Sequence, residues 1–226
     1  MSPADISVVI PTLNEQASVA AAVESAHAAG ATQVIVADAG SSDQTVDLAT
    51  ASGVSKIIRS MPGRGIQLNA GAFFADRQYV LFLHADNQLG LECLEQICAA
   101  GKPAWGAFRQ RINSTRQIFR AIETGNDWRV RARGMAFGDQ AVFVRRTLFK
   151  EHGGFAEVPL MEDVDFSKRF RRIEKPVLLD GPVTVDARRW EANGPVCQTL
   201  LNWTLQLRYA CGASPETLRK VYARTK

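Results

Sequence analysis

Cysteine and histidine are scarce: four and three residues in a chain of 226. Cys93, Cys98, Cys197 and Cys211 form no CxxC pair and no zinc-ligand spacing with the histidines. A disulfide framework and a structural zinc site are therefore disfavoured, and reduced thiols in the cytoplasm are expected. Long apolar runs are missing too, since none approaches the ~20 residues that a bilayer-crossing helix needs. The opening Met1-Ser2-Pro3-Ala4-Asp5 has neither the basic nor the long apolar region of a secretion signal. There is no Walker A sequence and no GxSxG elbow. Gly63-Arg64-Gly65 begins a dinucleotide-like pattern, but Leu68 stands at its third glycine position and it follows a third strand, not a first. A Rossmann dehydrogenase is disfavoured on both counts.

What is present is ordinary for a globular protein, with 46% apolar and 22% charged residues. The length favours one domain with appendages over two domains. The net charge of +4 is uneven: residues 107–133 and 188–226 each carry +5, leaving −6 for the rest. Each basic segment reads either as a phosphate-, nucleic-acid- or lipid-attracting patch or as a solvated helix face.

Hydrophobic spacing in the first hundred residues alternates strand and helix. Ile6–Ile10 and Val34–Ala37 read as buried strands, Ser55–Arg59 as a third strand and Tyr79–His84 as a fourth, apolar almost throughout. Helices are expected from about Glu15 to Ala29, from about Gln44 with Asp43 as cap, and from Asn69 to Ala75. That order predicts an α/β fold with a doubly wound, mostly parallel sheet and helices on both faces. Such sheets bind ligands beyond the C-terminal ends of their strands, where Asp38, Arg64, His84 and Asp86 fall. Further on, the spacing predicts a strand over Trp105–Ile112 and an Arg-rich helix opened by a Ser114/Gln117 capping box. A strand over Gln140–Arg145, a helix opened by Glu162 and Asp163, and two strands around Asp180-Gly181-Pro182 follow. From Pro195 onward two helices break near Gly212, and the apolar residues of 196–209 are expected to be buried. The division is 1–190 for the main domain and 191–226 for a helical extension packed on it or on a dimer partner.

Five segments recur in a familiar order: VVIPTLNE (8–15), VADAGSSDQT (36–45), LFLHAD (81–86), FVRRTLFKEHGGF (143–155) and MEDVDFSKR (161–169). Together they resemble the family 2 glycosyltransferases of the GT-A fold. The resemblance covers about residues 5–190. It implies that Asp38 binds the nucleoside, that His84-Ala85-Asp86 occupies the D-x-D position with Asp86 as metal ligand, and that Asp163 is the catalytic base. Asp186-Ala187-Arg188-Arg189-Trp190 resembles the later Q-x-x-R-W motif, with Asp186 in place of Gln. Ala39 and His84 depart from the pattern, each standing where an acid is usual. GDQAVFVRR (138–146), EVPLMEDVDFSKRFRR (157–172) and LNWTLQLRY (201–209) resemble a small bacterial subgroup associated with radical-SAM neighbourhoods and arsenosugar biosynthesis.

The chemistry of sugar transfer explains these residue types. Charge on a leaving diphosphate needs neutralising, which Mg²⁺ or Mn²⁺ on Asp86 and the cation Arg64 can supply. The attacking hydroxyl needs a base, and Asp163 is the candidate. One base without a second carboxylate nucleophile implies inversion. Pro11 and Glu15 join Asp38, Arg64, His84 and Asp86 on the nucleotide-sugar side. Asp139, Gln140, Glu162, Arg189 and Trp190 are assigned to the acceptor or donor-sugar side. The expected partners are a nucleoside-diphosphate sugar and an acceptor of undefined identity; a homodimer is allowed and membrane contact is not favoured. A nucleotidyltransferase and a non-catalytic nucleotide-sugar-binding module are the competing readings. Nucleic-acid binding is set aside, because aromatics do not alternate with the arginines of 107–133.

Overall fold

The computed structural model describes residues 1–223, except for the side chains of Arg189 and Ala223. Its first half alternates as the hydrophobic spacing predicts: β1 (Ile6–Thr12), α1 (Val19–Ala28), β2 (Gln33–Asp38), α2 (Thr45–Ala51), β3 (Lys56–Arg59), α3 (Arg64–Phe74) and β4 (Tyr79–Phe82). These strands are parallel, in the order β3-β2-β1-β4. The period-two alternation of β1 sends Val8 and Ile10 to one face and Val9 to the other. The first face packs on Val19, Ala22 and Val23 of α1, the second on Leu68 and Ala72 of α3. At Gly71 an added Cβ would lie 2.2 Å from Val9 Cγ1, so helix and strand approach more closely than any side chain permits.

The second half continues with β5 (Asn87–Leu89), α4 (Cys93–Ala99), β6 (Trp105–Ile112), α5 (Gln117–Arg133), β7 (Phe143–Arg145), α6 (Arg146–Glu151), α7 (Glu162–Phe170), β8 (Val177–Val185), α8 (Arg188–Asn193), α9 (Pro195–Ala210) and α10 (Pro215–Ala223). It completes an eight-stranded sheet in the order β3-β2-β1-β4-β7-β6-β8-β5. Here β7 runs antiparallel to both β4 and β6, while β8 is parallel to β6. Phe149, Phe155, Phe166 and Phe170 form an aromatic cluster under this half of the sheet.

Several local expectations are corrected. Helix α1 begins at Val19 and not near Glu15, because Asn14 takes a left-handed φ of 55° and residues 15–18 turn first. Helix α3 begins five residues earlier than expected, at Arg64. No capping box opens α5, since the chain becomes helical only at Gln117 after Arg116. One strand, β8, replaces the two expected around Asp180-Gly181-Pro182, because an irregularity in its pairing with β6 absorbs the turn residues. Of the apolar residues of 196–209 only Leu205 is buried, packed with Leu218, Met161 and Val164; Val196, Leu200, Trp203 and Leu207 are exposed. A single amphipathic face of this helix meets the domain, so the expectation of a wholly buried segment fails for the other face. Among the described residues, no helix is long and apolar enough to cross a membrane.

Candidate active site

The C-terminal ends of β1 and β4 open into a cleft of about 290 Å³. Pro11, Glu15, Arg64, His84, Asp86, Asp139, Glu162, Asp163 and Trp190 all line it. Sequence positions as far apart as 11 and 190 thus converge, as expected at strand ends in such a sheet.

Each side chain has a traceable placement. Strand β4 leads directly into His84-Ala85-Asp86, and Leu83 N still donates to Val9 O at 2.9 Å. Arg64 opens α3 after Gly63, whose φ of 140° only glycine adopts readily. The next residue, Gly65, lies against the loop before α7: an added Cβ would meet Ala156 O at 2.3 Å. This close approach carries Arg64 to Glu162, and Arg64 Nη1 donates to Glu162 Oε1 at 3.1 Å. Glu162 is buried, and burial pushes its carboxyl above the usual range while Arg64 pulls the other way.

Asp163 follows on the first turn of α7 and is fixed at both oxygens. Val164 N donates to Oδ1 at 2.7 Å and Gly138 N to Oδ2 at 3.0 Å. Helix N-termini favour negative charge, so a carboxylate is well accommodated at this position. Gly138 is pinched between two site residues: an added Cβ would lie 2.5 Å from His84 Nε2 and 3.7 Å from Asp163 Oδ2. Burial also pushes the neighbouring Asp139 carboxyl upward, against the pull of Arg129, and its Oδ1 is buried without a hydrogen-bond partner.

Asp38 and Gln140 are placed differently. Asp38 is buried at the end of β2 and does not line the cleft. Its Oδ1 accepts from the Thr12 and Ser41 hydroxyls, and its Oδ2 from Gly40 N at 2.8 Å and Ser41 N at 2.9 Å. Burial alone would raise its pKa, but the hydrogen bonds outweigh it and hold the carboxyl below its usual value. Asp38 thus shapes the loop after β2. Gln140 is fully buried and accepts from Arg129 Nη2 at 2.8 Å. Trp190 is 9% exposed, sits edge-on to Phe119, and leaves its Nε1 without a hydrogen-bond partner. The side chain of Arg189 lies outside the described residues.

Arg129 is a cleft residue that sequence reasoning missed. It sits in the Arg-rich α5, yet its Nε donates to Met135 O, its Nη1 to Asn126 Oδ1, and its guanidinium lies 3.6 Å over the Phe137 ring. Burial lowers its pKa to about 10, so it remains a cation at neutral pH. A helical plot of α5 would have placed it three residues from Asn126 on the face shared with Ile122, the one signal available.

The sequence model described as "Glycosyl transferase family 2" matches residues 7–153. The chain belongs to glycosyl transferase family 2. No curated protein matches its sequence. Among solved structures, this family 2 chain is similar to S. aureus TarS 1–349, with 16% identity and a TM-score of 0.65, over 85% of this chain and 62% of that one. It is similar to TarS 1–349 in complex with UDP-GlcNAc, at 17% and 0.64, over 82% of this chain and 58% of that one. It is also similar to glucosyl-3-phosphoglycerate synthase from Mycobacterium tuberculosis in complex with Mg²⁺ and UDP, at 19% and 0.57, over 80% and 69%. The chain thus spans less than two thirds of the length of the TarS structures. At these identities the likeness is one of fold, and the fold is the GT-A type expected from the five motifs.

Proposed function

We propose that the chain transfers a sugar from a nucleoside-diphosphate sugar to an acceptor hydroxyl, with inversion at the anomeric carbon. The observation that carries this reading is the convergence of Asp86, Arg64 and Asp163 in one cleft at the strand ends of a family 2 fold. The acceptor oxygen attacks the anomeric carbon while the bond from that carbon to the diphosphate oxygen breaks. Asp163 takes the hydroxyl proton, and the diphosphate leaves with the bonding electrons. Arg64 is near enough to Asp86 and Asp163 to feel both charges, and it is placed to meet the developing negative charge on the diphosphate.

A divalent ion fits this site only when shared with the substrate. Among the described residues, no group of three or more His, Cys, Asp and Glu could hold a metal by itself. Asp86 supplies one carboxylate, which matches the way Mg²⁺ is commonly bound by one or two carboxylates plus phosphate oxygens and water. When bound, Mg²⁺ or Mn²⁺ would neutralise charge on the diphosphate. The complexes of the M. tuberculosis synthase with Mg²⁺ or Mn²⁺ and UDP support the choice of ions. The number and spacing of the four cysteines, which offer no disulfide framework, support a cytoplasmic enzyme. The arsenosugar-associated subgroup rests on the resemblance of residues 138–146, 157–172 and 201–209.

Asp163→Asn tests the base. Removing a positioned base costs about 10²–10⁴ in rate while binding survives. The variant should hold UDP and Mn²⁺ within a few-fold of the parent and lose nearly all transfer in a nucleotide-release assay. Transfer at near-parental rate by a variant that binds the donor normally would overturn the mechanism.

A further inference from the structure

The connection from α5 to β7 brings Phe137 and Asp139 to the cleft wall and Gly138 against Asp163. Loops are more mobile than the elements they join, so a loop holds a carboxylate in one place only when it is itself tied down. One side chain ties this one. Arg129 Nε donates to Met135 O at 3.0 Å, and its Nη2 donates to Gln140 Oε1 at 2.8 Å. The guanidinium thus grips the connection on both sides of Gly138. Its Cζ lies 3.6 Å from the centre of the Phe137 ring, a third point of contact.

The grip is anchored to the sheet. Arg129 Nη1 donates to Asn126 Oδ1 at 2.9 Å, and Asn126 Nδ2 donates to Gln110 Oε1 of β6 at 2.7 Å. Gln110 Nε2 in turn donates to Asp139 O at 3.2 Å. The chain of bonds leaves the connection at Gln140, passes through α5 and β6, and returns at Asp139. A planar fork can meet acceptors in three fixed directions while its face covers a ring; a lysine ammonium can do neither. Stability alone does not call for a cation here. All three acceptors are neutral oxygens, and withdrawal from water lowers the Arg129 pKa to about 10. Burying a charge without a bonded counter-charge is costly. The charge does lie near enough to act on Asp139 and Asp163.

We propose that Arg129 is a positioning residue for the base: it fixes residues 135–140 so that the Gly138 N–H, 3.0 Å from Asp163 Oδ2, holds that carboxylate in one orientation. Arg129 acts through Gly138 and makes no contact with the nucleotide. The inference rests on the glycosyl-transfer reading with Asp163 as base. In that reaction a misplacement of about 1 Å can cost about 10² in rate.

The test needs no acceptor. UDP binding with Mg²⁺ is measured first on the full chain by isothermal titration. No binding by the parent would remove the glycosyl-transfer reading, and this inference with it. Arg129→Gln and the more conservative Arg129→Lys should keep UDP affinity within about threefold. In both, hydrogen exchange of the Gly138 amide should accelerate at least about tenfold beyond any change at the β1 amides of Val9 and Ile10. That is the scale of losing a hydrogen bond to a charged group. Combined with Asp163→Asn, Arg129→Lys should add less than about threefold at Gly138, because both substitutions act on the same bond. The inference fails if Gly138 accelerates no more than β1, which would give Arg129 a part in overall stability only. It also fails if UDP affinity drops further than threefold, since Arg129 would then contact the nucleotide. Full multiplication of the two substitutions, or failure of both variants to fold, would overturn it as well.

Discussion

Gly138 shows how little room separates the residues assigned to chemistry. Its N–H holds Asp163 and its missing side chain admits the His84 ring, so one position without a Cβ sets the spacing of two site residues. Gly138→Ala should force the ring aside. Overpacking of this kind typically costs about 1–3 kcal/mol, and the displaced His84 should reduce UDP affinity as well. Isothermal titration and urea unfolding on the same variant would check both; unchanged affinity at parental stability would contradict the placement. Asp38 makes a different prediction. Its folded pKa lies below the ordinary 3.8, so its contribution is fully present above that value. As pH falls through the lowered folded value, the carboxylate protonates and the contribution is lost. Asp38→Asn should therefore lower the urea midpoint at pH 7 and flatten the loss of stability below about pH 4. A variant as acid-sensitive as the parent would show that another carboxylate dominates there.

At the scale of elements, α9 presents two faces of unequal worth. Leu205 is 2% exposed and Leu207 66%. Leu205→Ala should cost about 2–5 kcal/mol, as for other buried leucines. Leu207→Gln should stay within about 0.5 kcal/mol, the usual range for surface changes. Thermal unfolding of both variants separates the two; a large loss from Leu207→Gln would mean that this face is covered in solution. The amino-acid pattern could report that Val196, Leu200, Leu201, Leu205 and Leu207 are apolar, but not which of them has something to pack against. The first four strands were legible for the opposite reason. The runs of β1, β2 and β4 are short and apolar and stop at Pro11, Asp38 and His84, as a sheet covered on both faces requires, whereas β3 has only the Ile57-Ile58 pair and is legible from the strand–helix alternation. β5 was not legible, because three residues carry no period. β8 was misread because Asp180-Gly181-Pro182 has turn chemistry, while its pairing with β6 is a tertiary fact. The cleft residues Asp86, Arg64 and Asp163 could be named from motif order and strand ends. Arg129 could not, since an arginine among seven in residues 107–133 looks like solvated surface until the fold shows what it faces.

Over the whole molecule the net charge of +4 conceals a cleft of the opposite sign. Glu15, Asp86, Asp139, Glu162, Asp163 and Asp186 line it against Arg64 and Arg129. A diphosphate is an anion, and low-dielectric walls strengthen its repulsion by these carboxylates. The proposed divalent ion would therefore change the sign of the encounter as well as assist the leaving group. This gives Asp86→Asn two opposite effects. With Mn²⁺ present, the variant loses the carboxylate assigned to the ion and should bind UDP more weakly. With the ion removed by EDTA, the same variant has one fewer negative charge facing the diphosphate and should bind UDP more tightly than the parent. The gain should be at least about 1 kcal/mol, some five-fold, for one half-buried charge at close range. Raising the salt concentration should shrink that gain, because screening weakens the repulsion the substitution relieves. Titration of parent and variant with UDP, with Mn²⁺ and with EDTA, gives four affinities whose order is fixed in advance. If Asp86→Asn weakens UDP binding equally in both conditions, Asp86 contacts the nucleotide directly and the assignment to the metal is wrong.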